Sequence, residues 1–471
     1  MEKLIYLFWG ISALIIVIAF TLSLIKREKL LFLIPFVITF IPIEYIDRYF
    51  FKLPTILNWL PQLILLLCGI VSAIVLIKRP MKSSIWFSIA YFLFIFLAII
   101  SISINGNNIV SAIYSQRGFI FIFSFLVASK AMYDRLSLDK FYKLTIKAGF
   151  ISALLAVFQR MLVTLTSSTG DMVTGLFSSD SQYLYFHCIC FIITIAYWYN
   201  GQQLMRKISA SNLSILFILS IGIANNKAGI GFLILILLFF AIYVGYRNFW
   251  KFFGRLIILG IFISVSLLIF EKILIGSGRL KNEESSFAYL SDPEYVSDYM
   301  FGSDDNWHGQ FSKSGTLRRG AAITFGYTLL SKDPYHFLFG RGPGSTSESS
   351  IGEGDLSKVY EGYKIGRSTL SEKLTEHGLL GTIFFIGVLL AVYFANSKEH
   401  PLNANHLLIK KVAILFMLVY LPYENIFLTI INGLVFTLLL YPNITFIEGE
   451  TLFSYLDDEK INQADLNKIN I

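Results

Sequence analysis

Long apolar runs recur through almost the whole of this chain. Each covers about 17 to 25 residues, which is the length that an α-helix needs to cross roughly 30 Å of hydrocarbon. The composition agrees with this pattern, since 55% of the 471 residues are hydrophobic and only 15% are charged. Ordinary soluble domains have a different composition. The sequence therefore predicts an all-α polytopic membrane protein.

The pattern predicts about 12 to 13 transmembrane helices. The candidate spans cover residues 4–25, 30–46, 61–77, 84–104, 110–129, 148–165, 182–199, 212–225, 228–245, 256–275, 378–396, 410–423 and 425–442. The first span is too long for the core of a signal peptide, and no small-residue cleavage site follows it. We therefore expect it to remain in the membrane.

Basic residues are concentrated in alternate connections between these spans. The basic connections are 26–29, 78–82, 130–147, 206–207, 247–255 and 398–411. By the positive-inside rule they face the cytoplasm. The connections between them are nearly free of Lys and Arg and are predicted to be extracytoplasmic, together with the one large hydrophilic loop.

That loop is the only long segment that could not lie in a bilayer, because it is rich in charged residues, Gly and Ser. It divides the chain into transmembrane helices over 1–275, the extracytoplasmic loop over 276–377, further helices over 378–447 and a cytoplasmic tail over 448–471. Inside the loop we expect one helix over 317–330, irregular chain over 340–354, and a second helix that starts at Ser368 and enters the membrane.

Three cations break the positive-inside trend, because they lie at the predicted outer ends of spans: Arg117, Arg160 and Lys227. Such residues are usually paired or line a polar cavity, although snorkelling to lipid phosphate is an alternative. The loop adds Arg318, Arg319, Arg341 and Arg367. Together these cations predict a basic pocket for a pyrophosphate, because the planar fork of Arg can bind phosphate oxygens bidentately. Two adjacent arginines on a helix cannot point the same way, so one of Arg318 and Arg319 is expected to be structural.

The glycine-rich segment Gly340-Arg-Gly-Pro-Gly344 lies in the same loop. It lacks the Lys-Ser/Thr ending and the preceding strand of a nucleotide P-loop, so a nucleotide site is not expected. Gly342 and Gly344 are candidate substrate-binding residues, because glycine lets the backbone approach an anion closely. Arg160 and Lys227 are assigned to the same role.

The candidate general bases are Glu372, His377 and His336. His308, His336 and His377 are each plausible bases, and spacing favours none of the three histidines. The loop carboxylates Asp292, Asp298, Asp304 and Asp305 fit no calcium loop. Cys68, Cys188 and Cys190 lie in apolar spans and indicate neither a disulfide framework nor a zinc site. We therefore predict no metal site and no cofactor.

The loop and its exit resemble the membrane family of O-antigen ligases and polysaccharide polymerases. The similar pieces are Leu317-Arg-Arg-Gly-Ala-Ala, Asp333-Pro334, Phe339-Gly-Arg-Gly-Pro-Gly344, Gly378-Leu-Leu-Gly381, Thr174-Gly-Leu-Phe177 and Asn226-Lys-Ala-Gly229. By architecture the resemblance covers most of the chain, and by residues it covers only these pieces. It implies glycosyl transfer from polyprenyl-pyrophosphate-linked sugars without a metal, on the extracytoplasmic face of the bacterial cytoplasmic membrane.

One difference bears on the activity within the family. The ligases have a His followed by Asn, Ser or Gln at a fixed distance before the Gly-x-x-Gly, and here Arg367-Ser368 stands at that place. The resemblance therefore favours a polymerase, which joins lipid-linked repeat units into O-antigen, capsule or exopolysaccharide. The alternatives are a ligase whose base is displaced to His377 or His336, and a flippase or exporter of the same lipid-linked oligosaccharide.

The polymerase hypothesis assigns roles to the candidate residues. Arg117 and Arg318 are the first choices for stabilising the leaving pyrophosphate, and the second choices are Arg319, Arg341, Arg367 and Lys227. The expected partners are the lipid-linked oligosaccharide, membrane lipid and a chain-length regulator. Nucleic acid is not an expected partner.

Overall fold

The computed structural model of this chain describes about half of its residues. These are residues 81–83, 85–113, 115–116, 119, 138–166, 173–177, 179–205, 208–223, 227–244, 317–349, 352–395, 404–426 and 444–446, with isolated positions between 254 and 272 and at 439. The predicted spans 4–25, 30–46 and 61–77 lie outside the described residues, and so do most of 110–129 and 425–442.

The described part of the chain is mostly helical. Its helices are α1 Ile85–Asn105, α2 Leu138–Thr166, α3 Asp180–Tyr199, α4 Ala210–Ile223, α5 Lys227–Val244, α6 Arg319–Leu330, α7 Pro334–Phe339, α8 Asp355–Val359, α9 Thr369–Phe394 and α10 Ala404–Tyr420. The strands are short: β1 Met81–Ser83, β2 Glu348–Ser349, β3 Gly352–Glu353 and β4 Ile444–Phe446. β1 pairs with β4 and β2 pairs with β3, both antiparallel.

Three of the described helices contain stretches that are long and apolar enough to cross a membrane: Trp86–Asn105, Phe141–Met161 and Thr369–Phe394. Two shorter apolar helices cover Ala210–Ile223 and Ala228–Val244. Each of these helices overlaps a predicted span, although Phe141–Met161 and Thr369–Phe394 begin seven and nine residues before the predicted starts at 148 and 378. The prediction of a helical chain with apolar helices of membrane-spanning length is thereby confirmed for the part of the chain that the structure describes.

Helix α3 lies at the centre of the bundle. Every residue from Tyr183 to Tyr197 is buried, because α2, α4, α5 and α10 surround this helix. A helix that is apolar on all sides is expected in such a position. Cys188 and Cys190 are buried in this core as free thiols. By contrast, α1 packs against α9 and leaves large apolar side chains such as Trp86 and Phe92 exposed, as expected of a surface that faces lipid.

The second half of the predicted loop folds into a small cap on the first turns of α9. The cap consists of α6, α7, the β2–β3 hairpin and α8. Its own hydrophobic core contains Leu317, Ala321, Ala322, Phe325, Leu356 and Ile365. The predicted helix over 317–330 is confirmed to within two residues, and the region predicted to be irregular contains the short β2–β3 hairpin as well as turns.

Two glycines let the cap and α9 touch through their backbones. Helix α9 runs from Thr369 to Phe394 as two helical segments with a kink between them at Gly378, whose φ is 66°. Gly340, at the end of α7, has φ 76°. A Cβ on Gly340 would lie 2.4 Å from the carbonyl oxygen of Glu376, and one on Gly378 would lie 2.5 Å from the Gly340 nitrogen. Only glycine fits this contact, since both the backbone angles and the space exclude a side chain.

The described contacts show which of the connections between helices lie at the same end of the bundle. At one end Asn105, at the end of α1, donates a hydrogen bond to the Gly340 carbonyl at 3.1 Å. At the other end the side chains of Asn200 and Asn405 are hydrogen-bonded. Connections that the basic residues assign to the same side of the membrane thus meet at the same end of the bundle.

Candidate functional site

The first two turns of α9 carry charged residues in an otherwise apolar helix. Ser368 begins the helix as its N-cap, because its Oγ accepts from the Ser371 amide while the Ser371 Oγ accepts from the Ser368 amide. The helix then directs Glu372, Lys373 and Glu376 into the protein, where none is more than 7% exposed. Buried charges are stable only when they are paired and hydrogen-bonded, so their partners define the site.

The carboxylate of Glu376 collects donors from two distant segments. Its Oε1 accepts from Thr346 Oγ1 at 2.8 Å and from the Thr346 amide at 3.3 Å. Its Oε2 accepts from Ser115 Oγ at 3.1 Å and from Gln116 Nε2 at 3.3 Å. The Gly344 amide faces the same carboxylate. Since a carboxylate accepts at both oxygens, this single side chain can bind all of these donors and join the loop to the segment that follows α1.

Glu372 and Lys373 extend the same network. Lys373 Nζ lies 2.5 Å from Glu372 Oε1 and donates to Gln116 Oε1 at 3.3 Å. Asn425, which follows α10, donates to the other oxygen of Glu372. We call Ser115, Gln116, Thr346, Glu372, Lys373 and Glu376 the Glu376 cluster. It connects three parts of the chain that are far apart in sequence, so it fixes their relative positions.

The glycine-rich turn directs its amides into the protein. The Arg341 amide donates to the Thr375 carbonyl and the Gly342 amide to the Glu376 carbonyl, both at 2.9 Å. The Gly344 amide faces the Glu376 carboxylate, and the Thr346 amide donates to it at 3.3 Å. The anion that this turn holds is therefore a side chain of the protein itself. The two predicted substrate-binding glycines have their amides engaged within the fold.

Arg341 has a main chain that is fixed on both sides. Its amide is bound by Thr375, and its carbonyl oxygen accepts from Asn107 Nδ2 at 3.1 Å. Its side chain is half-buried, and the Nε atom is buried without a hydrogen-bond partner among the residues that the structure describes. Burying an unpaired donor is costly, so this atom is a candidate for binding an acceptor.

Arg319 and Arg367 meet around a different carboxylate, that of Glu424. Arg319 donates from Nε to the Tyr423 carbonyl at 2.7 Å, and its NH2 lies 3.4 Å from Glu424 Oε2. Its guanidinium also lies over the Tyr423 ring, 4.3 Å from the centroid. Arg367 donates to the Leu317 carbonyl at 3.0 Å and interacts electrostatically with Glu424. We call Arg319, Arg367, Tyr423 and Glu424 the Glu424 cluster.

Glu424 lies after the end of α10, in the turn that faces the cap. Burial raises the pKa of this carboxyl above its ordinary value, while Arg319 and Arg367 oppose the rise. Asp180, at the start of α3, adds to it. Arg318 occupies the N-cap position of α6, directly before Arg319. Of the adjacent arginine pair, Arg319 is the one that anchors α6 to the end of α10.

The two candidate histidines lie at helix contacts. His336 Nε2 is 3.0 Å from Asn105 Oδ1, and its Nδ1 is 2.5 Å from Asp333 Oδ2, so it fastens α7 to the end of α1. His377 is 1% exposed, with its ring centroid 4.7 Å from that of Phe94. Neither of its nitrogens has a hydrogen-bond partner among the described residues. The ring is therefore closed off from solvent beside α1.

The remaining predicted cations are described only in part. Arg160 lies half-buried on α2, next to Gln159, whose Oε1 accepts from the Thr174 amide at 2.9 Å. Lys227 is the first residue of α5. Arg117 lies outside the described residues, although its neighbour Gln116 belongs to the Glu376 cluster. The structure thus brings Arg319 and Arg367 together and places Arg341 beside the Glu376 cluster.

Several polar residues of these clusters were not singled out from the sequence: Ser115, Gln116, Thr346, Lys373, Glu376, Glu424 and Asn425. A signal for some of them was present. Glu372-Lys373 and Glu376 stand at the start of an apolar span, and Glu424-Asn425 stands between two predicted spans. Ionisable residues in such places are rare and often functional, so the positions of these carboxylates in the sequence already indicate a polar site.

The described residues contain no group of three or more His, Cys, Asp or Glu side chains that could hold a metal ion. The loop carboxylates Asp292, Asp298, Asp304 and Asp305 lie outside the described residues. The chain was also compared with known proteins. No protein-family model matches it, and no curated protein does.

Proposed function

We propose that this chain is a membrane glycosyltransferase that polymerises polyprenyl-pyrophosphate-linked oligosaccharide repeat units. The proposed protein crosses the bacterial cytoplasmic membrane about 12 to 13 times and works on the extracytoplasmic face. The product would be O-antigen, capsule or exopolysaccharide, and a chain-length regulator would act with it. The reaction uses no metal.

Arg341 is the observation that carries this proposal. Its main chain is fixed between Thr375 and Asn107, and its buried Nε has no acceptor among the described residues. The neighbouring carboxylates Glu372 and Glu376 are occupied by other donors. The arrangement therefore presents a preorganised cation whose charge no described carboxylate neutralises directly, and this favours an anionic ligand.

A lipid-linked pyrophosphate fits such a cation. In the proposed reaction a sugar hydroxyl of the incoming unit attacks the anomeric carbon of the growing chain. The bond from that carbon to the pyrophosphate oxygen breaks, and negative charge develops on the leaving group. Arg341, with Arg318 at the start of α6, would stabilise this charge most strongly in the transition state.

The position of the cap supports the same function. It packs on the end of α1 and the start of α9, two apolar helices of membrane-spanning length, and presents a polar, arginine-containing surface there. Arg319 of the cap also binds the turn after α10. A lipid-linked substrate needs both environments, since its polyprenyl chain stays in the bilayer while its pyrophosphate lies at the polar boundary. The proposal rests on this combination and on the resemblance of the loop to the ligase and polymerase family.

The test is incubation of the purified protein, in lipid nanodiscs, with a polyprenyl-pyrophosphate-linked repeat unit. Multimers of the repeat unit are the expected product, also in the presence of EDTA. Transfer to a different lipid acceptor would indicate a ligase. The absence of any glycosidic product would contradict the proposal and would favour a flippase or exporter.

Variants of Arg341 connect the activity to the site. Arg341→Ala and Arg341→Lys should both lower the rate, Arg341→Ala by roughly a hundredfold or more, because Lys keeps the charge but loses the planar fork. The matched control is Lys358→Ala, which removes an exposed cation of the same cap. Equal rates for all three variants would contradict the role of Arg341.

A further inference from the structure

Glu424 is fixed between three elements at the same end of the bundle. Its main-chain carbonyl accepts from the amide and the hydroxyl of Thr369, both at 3.2 Å, which ties it to the start of α9. Its carboxylate faces Arg319 of the cap at 3.4 Å and also interacts with Ser181 at the start of α3. The side chain is held in place without being sealed from solvent, since 22% of it is exposed.

This exposure distinguishes Glu424 from the carboxylates of the Glu376 cluster. Glu372 is paired with Lys373 and Asn425, and Glu376 is fully buried among its donors. A base must lie within hydrogen-bond reach of the proton that it removes. Of these three carboxylates, only Glu424 combines a fixed position with an accessible surface beside loop arginines.

We propose that Glu424 is the general base that accepts the proton of the attacking sugar hydroxyl. The inference rests on the proposed glycosyl transfer and adds a residue for which the sequence analysis gave no role. In this step the acceptor oxygen forms the new bond to the anomeric carbon, and its proton passes to a carboxylate oxygen of Glu424. The bond between the anomeric carbon and the pyrophosphate oxygen breaks, and the pyrophosphate leaves with the electron pair.

The titratable groups around Glu424 suit this role. Arg319 and Arg367 face it from the cap side, Asp180 from the start of α3, and Tyr420 from α10. Burial raises the pKa of Glu424, which increases its strength as a base, while the two arginines keep the carboxylate form accessible.

Azide provides a test that distinguishes loss of the general base from loss of the whole site. Azide is already an anion at neutral pH, so it can attack the anomeric carbon without losing a proton. The experiment supplies the full-length protein in nanodiscs with the lipid-linked repeat unit, with and without sodium azide. Polymer and glycosyl azide are quantified separately for the wild type, Glu424→Gln, Glu424→Asp and the control Glu361→Gln, which alters an exposed carboxylate of the cap.

The wild type and Glu361→Gln should form both products. Glu424→Gln should lower polymer formation by roughly 10² to 10⁴-fold while it still forms glycosyl azide, and Glu424→Asp should retain part of the polymerase activity with a shifted pH profile. If Glu424→Gln still forms polymer at a near-normal rate, the base assignment is wrong. If Glu424→Gln forms neither product while Glu361→Gln forms both, Glu424 is structural and the assignment is also wrong. If the wild type forms neither product, the proposed function itself fails.

Discussion

The Glu376 carboxylate gives the sharpest prediction about how this end of the protein is held together. Replacing Glu376 with Ala removes the acceptor for the amide and hydroxyl of Thr346, the hydroxyl of Ser115 and the side-chain amide of Gln116. The side chain is fully buried, so water cannot readily replace the lost partner. The glycine-rich turn should then separate from the segment after α1.

The expected cost follows from the number of donors that would be left unsatisfied. Each buried donor without a partner costs about 1–3 kcal/mol, but neighbouring losses are not additive because the network relaxes together. Breaking a buried charged network by removing one partner typically costs about 3–5 kcal/mol. Glu376→Gln should cost less, about 1–3 kcal/mol, because its carbonyl oxygen can still accept from Thr346 while its NH2 group faces Gln116.

Amide hydrogen exchange measures the loss of local stability in the glycine-rich turn directly. Each 1.4 kcal/mol corresponds to a tenfold change, so a cost of about 3–5 kcal/mol in Glu376→Ala should speed exchange in peptides covering 342–346 by roughly 10² to 4 × 10³-fold. The matched control is Glu361→Ala, which removes an exposed carboxylate of the same cap and should leave this exchange unchanged. If exchange in 342–346 is the same in both variants, the Glu376 network does not hold the turn and this reasoning is refuted.

Two further predictions concern the backbone contact and the two ends of the bundle. Backbone strain at φ 76° alone should cost Gly340→Ala about 1–3 kcal/mol of stability. The total loss should be larger, because the new Cβ would also lie 2.4 Å from the Glu376 carbonyl oxygen. Gly362→Ala, at φ 80° with no atom within 4 Å, should cost only the backbone strain, and equal thermal midpoints for the two variants would contradict the packing argument. A cysteine at Val359, which is 70% exposed, should react with an impermeant reagent from outside intact cells, and one at exposed Ser209 should not. Reversed labelling would place the cap in the cytoplasm.

The helices could be predicted from the sequence because their signal is local. Apolar length predicted α1, α3, α4 and α5 to within a few residues, and polar start signals predicted the first turn of α9 at Ser368. The short pairing of β1 with β4 was not predicted, since it joins segments that are far apart in sequence. Its strands have only three residues each, which is too short for an alternation of apolar and polar side chains to be distinguished from chance.

For the candidate site, the sequence could predict which charged residues take part but not which of them contact each other. Charge pattern identified Arg319 and Arg367, but their shared carboxylate Glu424 belongs to a turn much later in the chain. The glycines of the 340–344 turn were interpreted as anion-binding. The sequence could not reveal that the anion they surround is Glu376, because that contact depends on how α7 and α9 pack at Gly340 and Gly378.

A buried polar network at the start of an apolar helix needs a physical reason, because apolar residues of the same volume are often as stabilising. Apolar contacts are tolerant of small displacements, whereas hydrogen bonds to a carboxylate depend on distance and direction. The Glu376 cluster takes its donors from residues 115–116, 344–346 and 373, so any shift of one segment breaks contacts to the others. We infer that this network serves position more than stability. It holds the turn that carries Arg341 against α9, and a cation that must meet a developing charge in the transition state is effective only when it is held in place beforehand.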